Sequence, residues 1–105
     1  MHLGDFEEVV LLAILALGEN AYGVPIRARL EDAGRKTSVG ALYVTFDRLE
    51  TKGLVESWEG EATPQRGGRA KKYFRVTGAG QDALRQTEAT RVQLRGGLRL
   101  VGGVA

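Results

Sequence analysis

The chain contains no cysteine and one histidine, His2. The first absence removes disulfide frameworks, thiol nucleophiles and cysteine-ligated zinc. The second removes a histidine metal site and a histidine relay, since one terminal imidazole can build neither. No metal and no cofactor are therefore expected. The chain also lacks a long apolar run. The longest, Val9–Leu17, is too short to span a bilayer. It follows Asp5, Glu7 and Glu8, whereas a secretory signal opens on basic residues. It reads as a buried helix of a cytoplasmic protein with no membrane partner. The Walker phosphate-loop pattern is missing. The acids are scattered over helix faces, and no cluster of serine, lysine and histidine pairs a nucleophile with a base. These absences argue against an enzyme.

What remains is a 105-residue chain, 43 % hydrophobic, with room for one domain and a small core. A domain of this size gains from burial against a partner chain. The net charge of +2 hides an uneven distribution. Residues 1–34 carry two arginines against six acids, whereas residues 35–75 carry nine Lys and Arg against five. Residues 76–105 carry four arginines against two acids. A polyanion such as nucleic acid would be drawn to the middle segment.

The pattern predicts a first helix over residues 5–17, capped by Asp5, with Glu7 and Glu8 at the positive end of its dipole and Gly18 as the stop. Its second half is apolar all round, so it needs cover on more than one side. That cover is either the chain itself or a second subunit, and we expect a dimer contact. A second helix spans residues 21–33, with Pro25 in its first turn and Ile26, Leu30 and Ala33 as its buried stripe. Thr37 and Ser38 both suit the cap of a third helix, residues 39–52, ended by Gly53. Strands are expected over Leu54–Glu59 and Lys72–Thr77, with Trp58 packing beneath the hairpin. A last helix, residues 79–95, has little apolar content and needs the first helix, in cis or from another chain, to hold it. Gly96 and Gly97 should end it, with a loose tail beyond.

On the third helix Leu42, Phe46 and Leu49 face one way. The opposite face holds Gly40, Tyr43, Val44, Asp47, Arg48 and Thr51. Small residues let a backbone approach a groove, a tyrosine hydroxyl can donate to phosphate, and an apolar group can contact a thymine methyl. Taken alone this face also fits an ordinary solvated surface. Asp47 is expected to pair locally; Arg48 fits a base edge, a phosphate or a local ion pair. Between the strands, Arg66, Arg69, Lys71 and Lys72 are interleaved with Gly67, Gly68 and Ala70. Arginine forks and unhindered glycine N–H groups suit phosphate oxygens, or a narrow minor groove. Tyr22 fits core packing with its hydroxyl at the surface, or a phosphate contact at a helix start.

Helix, helix, helix, strand, basic wing, strand, helix is the order of a winged helix-turn-helix with a C-terminal extension. The fold class is mainly α with a small β-hairpin. Residues 1–78 form the DNA-binding domain, and residues 79–105 a dimerisation helix and tail. Here the chain resembles the PadR-like transcriptional regulators. The resemblance rests on Ala21-Tyr22-Gly23, Gly40-Ala41-Leu42-Tyr43, Arg48-Leu49-Glu50, Lys52-Gly53-Leu54-Val55, Gly68-Arg69-Ala70-Lys71-Lys72-Tyr73-Phe74, and Val76-Thr77 with Gly80. The family pattern usually has proline where this chain has Val44, a departure expected to leave the helix more regular and to alter base preference. The short C-terminal part resembles the compact subgroup. The resemblance implies a homodimeric repressor occupying a pseudo-palindromic operator on double-stranded DNA, with the first and last helices forming the dimer contact. Some family members bind aromatic effectors near that contact, but no aromatic residue follows Phe74 here, which leaves an effector unsupported.

The expected DNA contacts are Tyr22, Lys36, Thr37, Ser38, Gly40, Tyr43, Arg48, Arg66, Gly68, Arg69, Lys71 and Lys72. The expected dimer contacts are Phe6, Val9, Val10, Ala13, Leu84 and Val92. The alternative is a winged-helix module that binds protein and not DNA.

Overall fold

A computed structural model describes residues 2–60 and 71–97. The first helix, α1, runs Asp5–Leu17. Its cap is Gly4 and not Asp5. Gly4 is extended, and the Glu7 carboxylate reaches back to accept its backbone N–H at 2.7 Å. That single bond, half of a capping box, satisfies an N–H the helix leaves unpaired, which moves the cap one residue upstream. Helix α1 ends at Gly18, whose φ of +58° excludes most side chains. A 3-10 turn, Gly18–Asn20, leads to α2, Gly23–Asp32. Ile26 and Leu30 are buried, but Ala33 is exposed because the helix stops before it. Helix α3 spans Val39–Thr51, with Ser38 Oγ accepting the Ala41 N–H at 3.1 Å.

Strands β1, Val55–Glu59, and β2, Lys72–Val76, pair antiparallel in the register Val55↔Val76, Ser57↔Phe74 and Glu59↔Lys72. Residue Tyr22 bridges Tyr73, and the Phe74 N–H donates to the Ala21 carbonyl at 2.8 Å. The start of α2 is therefore tied to the wing through backbone. Phe74, stacked on Phe46 with centroids 4.1 Å apart, joins the wing to α3. Around this pair lie Val10, Leu11, Ile26, Leu42, Leu49 and Leu54, all buried.

Helix α4, Gly78–Arg95, starts on Thr77. The Thr77 hydroxyl accepts the Gly80 N–H at 3.1 Å and donates to the Gly53 carbonyl at 2.7 Å. It thereby fixes the first turn of α4 to the end of α3. A Cβ at Gly80 would strike the Leu54 carbonyl oxygen and the Val76 side chain, so only glycine fits there. Helix α4 lies on α1 in cis: Ala83 is buried, and Arg91 pairs with Glu8 at 2.7 Å. Beyond Thr87 every described residue of α4 is exposed. No described helix is long and apolar enough to cross a membrane.

Trp58 departs from expectation. It sits 44 % exposed on the outer face of the hairpin, stacked on Tyr73, with Arg75 over its ring. The register explains this: Val55 and Ser57 face inward opposite Val76 and Phe74, which turns Trp58 outward with Tyr73. Val10 and Ala13, expected at a dimer contact, lie in the chain's own core. The helical phase of α1 turns Glu7, Val10, Leu11 and Ile14 inward. It leaves Leu12 and Leu15 outward, 49 % and 45 % exposed.

Candidate nucleic-acid interface

The outward face of α3 is built from its inward one. Leu42, Phe46 and Leu49 are buried, so Gly40, Tyr43, Val44, Asp47, Arg48 and Thr51 are carried to the surface. Thr45, buried among the apolar residues, donates its hydroxyl to the Ala41 carbonyl at 3.0 Å and so needs no partner from outside the helix. The approach to α3 is held by Arg27, whose Nε donates to the Thr37 carbonyl at 2.9 Å. Ser38 spends its hydroxyl on the cap. Beside it Gly40 is exposed, and a Cβ there would meet nothing within 4 Å.

Tyr43 leans from α3 toward α2. Its ring meets Phe46 edge-on at 5.2 Å. A Cβ at Gly23 would come within 2.6 Å of its hydroxyl oxygen. The glycine of Ala21-Tyr22-Gly23 therefore makes room for Tyr43. Val24 and Val39 flank the same place, 75 % and 52 % exposed. Together with Arg27 and Leu42 these residues line an open cleft of about 350 Å³ between α2 and α3.

Around this face the cations divide into two groups. Lys36 and Arg48 are exposed and make no ion pair among the described residues. Asp47, expected to pair locally, has no ion pair among them either. Lys71 lies over the Tyr22 ring at 4.7 Å, and Tyr22 packs on Tyr73 at 5.3 Å. Lys72 is engaged by the protein's own surface: its Nζ donates to Glu50 Oε1 at 3.2 Å. The other Glu50 oxygen accepts the Ser57 hydroxyl at 2.7 Å. Ser57's hydrogen bond holds the Glu50 carboxyl below its usual range against the opposing effect of burial, with Lys72 adding to it. One carboxylate on α3 thus grips both wing strands. Arg66, Gly68 and Arg69 lie outside the described residues.

A second carboxylate, this one buried, ties the end of α3 to α1. Lys52 Nζ donates to both Glu7 oxygens, at 2.8 and 2.9 Å, and to the His2 carbonyl at 3.2 Å. The Glu7 side chain is only 8 % exposed. Burial pushes its carboxyl up, but the Lys52 and Gly4 hydrogen bonds and the charges of Lys52 and Arg48 outweigh burial, leaving the group below its usual range. Neither this pair nor the Glu50 junction follows from sequence patterning. Their partners lie 45 and 22 residues apart along the chain. The glutamate of Arg48-Leu49-Glu50 was the available signal. Among the described residues no His, Cys, Asp and Glu gather as a metal site.

Three helices closed by a two-stranded wing, with the third helix open to solvent beside it, define a winged helix-turn-helix protein. Residues 11–86 match the model of the transcriptional regulator PadR-like family. The chain belongs to that family. It is similar to a PadR family transcriptional regulator from Eggerthella lenta, at 33 % identity over 86 % of this chain and 77 % of that one, with a TM-score of 0.67. It is also similar to a PadR-like transcription factor from Bacteroides fragilis, at 27 % identity over 86 % and 82 % of the two chains, TM-score 0.70. RosR from H. salinarum is 26 % identical over 92 % and 81 %, TM-score 0.69. Among curated proteins none matches the chain.

Proposed function

We propose that this PadR-like regulator is a dimeric repressor that binds double-stranded DNA with α3 in the major groove and the wing on the adjacent backbone. The observation that carries this reading is the solvent-facing surface of α3. Gly40, Val44 and Arg48 face solvent there, and Tyr43, packed on Phe46 from one side, is 42 % exposed among them. In this reading Lys36, Arg48, Lys71, Arg66 and Arg69 meet phosphates, Thr37 and Ser38 set the entry of α3, and Gly68 gives the wing a close approach. Tyr22 supports Lys71 from beneath, and Tyr43 packs across the start of α2. Lys72 serves the junction with Glu50 instead of the phosphate chain.

The dimer contact uses the ends of the molecule that one chain leaves uncovered. Leu12 and Leu15 on α1, and Val92 and Leu94 on α4, are exposed apolar side chains. Phe6, Val9 and Leu84 pack against the core and contribute their outer edges. A two-fold dimer requires a pseudo-palindromic operator, with half-sites one or two helical turns (about 10 bp each) apart.

The test is retention on random duplex DNA at low salt and its loss at high salt, with a logarithmic salt dependence. Replacing Arg66, Arg69 and Lys71 by alanine should weaken binding to all sequences and lower the log–log slope by about 0.9 for each lost phosphate contact. No retention at any salt concentration would favour a protein-binding winged helix instead.

A further inference from the structure

The proposed function leaves open what chemistry α3 recognises in the groove. Its first two turns constrain the answer. The residues of that stretch that reach solvent are Val39, Gly40, Ala41, Tyr43 and Val44. Four of them carry no side-chain donor or acceptor. The fifth, Tyr43, has its hydroxyl against the backbone of Gly23 at the start of α2. Val39 and Val44 are 52 % and 53 % exposed, and Val24, 75 % exposed on α2, lines the cleft beside Val39. Polar side chains return to this face only at Asp47 and Arg48, one turn further on.

In the major groove, guanine, cytosine and adenine offer base-edge donors and acceptors, which amide and guanidinium side chains recognise. A valine pressed against those atoms would strip their water and return no hydrogen bond. Thymine alone also offers a methyl group, and burying that methyl against valine is favourable.

Resting on the DNA-binding reading, we infer that the N-terminal half of α3 recognises its operator through the 5-methyl groups of thymines, met by Val39 and Val44, and not through base-edge hydrogen bonds. Gly40 between them brings the helix close enough for contact. Each buried methyl should strengthen binding about three- to fourfold.

The experiment uses duplexes recovered by selection from a random pool, resynthesised with deoxyuridine in place of thymidine at one position at a time. Deoxyuridine keeps Watson–Crick pairing and removes only the methyl. Binding should weaken three- to fourfold at a few thymines in each half-site and be unaffected at flanking ones. In V39A and V44A the preference for thymine over uracil at the matching position should disappear. Both residues are exposed, so circular dichroism should show an unchanged fold. The inference is overturned if the wild-type protein prefers its selected sequence over random DNA yet binds its fully uracil-substituted form equally tightly. A protein that selects no duplex at all overturns the DNA-binding reading, and this inference falls with it.

Discussion

Lys72 sits in a basic run that, by composition alone, reads as a uniform phosphate clamp, yet its ammonium is held 3.2 Å from Glu50. The two readings differ in a measurable slope. A lysine that neutralises a phosphate releases a condensed counterion, so its removal lowers the slope of log K against log salt by about 0.9. A lysine that braces the wing against α3 releases none. K72M should therefore leave the slope unchanged and weaken binding by a factor independent of salt. The pair is partly exposed, at 44 % and 32 % for the two side chains, which caps its energy near 1 kcal/mol. That corresponds to an affinity loss of about two- to fivefold. K71M, whose ammonium sits over Tyr22 at the open edge, should lower the slope. Fluorescence anisotropy of a labelled duplex, titrated at several salt concentrations, reads both quantities. E50Q sharpens the test, because it keeps an acceptor for Ser57 and weakens the hold on Lys72. If Lys72 braces, E50Q weakens binding. If Lys72 is a phosphate ligand restrained by Glu50, E50Q tightens binding at low salt and K72M loses about 0.9 of slope; either result would falsify the bracing role.

The buried Glu7–Lys52 pair supplies a stability prediction. K52M strands a carboxylate that is 8 % exposed and should cost about 3 kcal/mol in thermal unfolding, more than E7Q, which keeps an acceptor for the Gly4 N–H. Its pH dependence has a definite sign. The folded Glu7 and Glu50 carboxyls lie below the ordinary value of 4.5, so the unfolded chain binds more protons as pH falls. Their contribution is complete above about pH 4.5 and is lost as pH drops through the folded values; E7Q should flatten that acid limb, and an unaltered limb would remove Glu7 from it. G80A should lower stability by about 1–3 kcal/mol, because the new methyl meets the Leu54 carbonyl, whereas G23A should spare stability and weaken DNA binding by displacing Tyr43. Sedimentation should find a dimer at micromolar concentration, dispersed by L12E with L15E; a wild-type monomer with normal folding would contradict the assembly proposed for α1 and α4.

Much of this architecture was legible along the chain. The three caps and stops of α3, the breakers around the wing and the periodicity of Leu42, Phe46 and Leu49 are local signals, and each element lies within a residue or two of expectation. Errors came where a neighbour in space outweighed a neighbour in sequence. Asp5 is a good capping residue, but Glu7 already satisfies Gly4. Val9–Leu17 is apolar on all sides, so composition could not say which side faced the core; contact with α2, α3 and the wing turned Val10 and Ala13 inward and Leu12 and Leu15 outward.

The same division holds for the site. Residue type and helical spacing were enough to bring Gly40, Tyr43 and Arg48 onto one exposed face, because a helix repeats every 3.6 residues whatever surrounds it. Charge counting was enough to find the basic segment. Which lysine is free to meet a partner, and which is committed to a carboxylate, depends on side chains brought together from distant points of the chain. Lys52 against Glu7, Lys72 against Glu50 and Tyr43 against Gly23 exist only once the helices and the wing are packed, since ion pairs and steric clearance act over a few ångströms of space and take no account of separation along the chain.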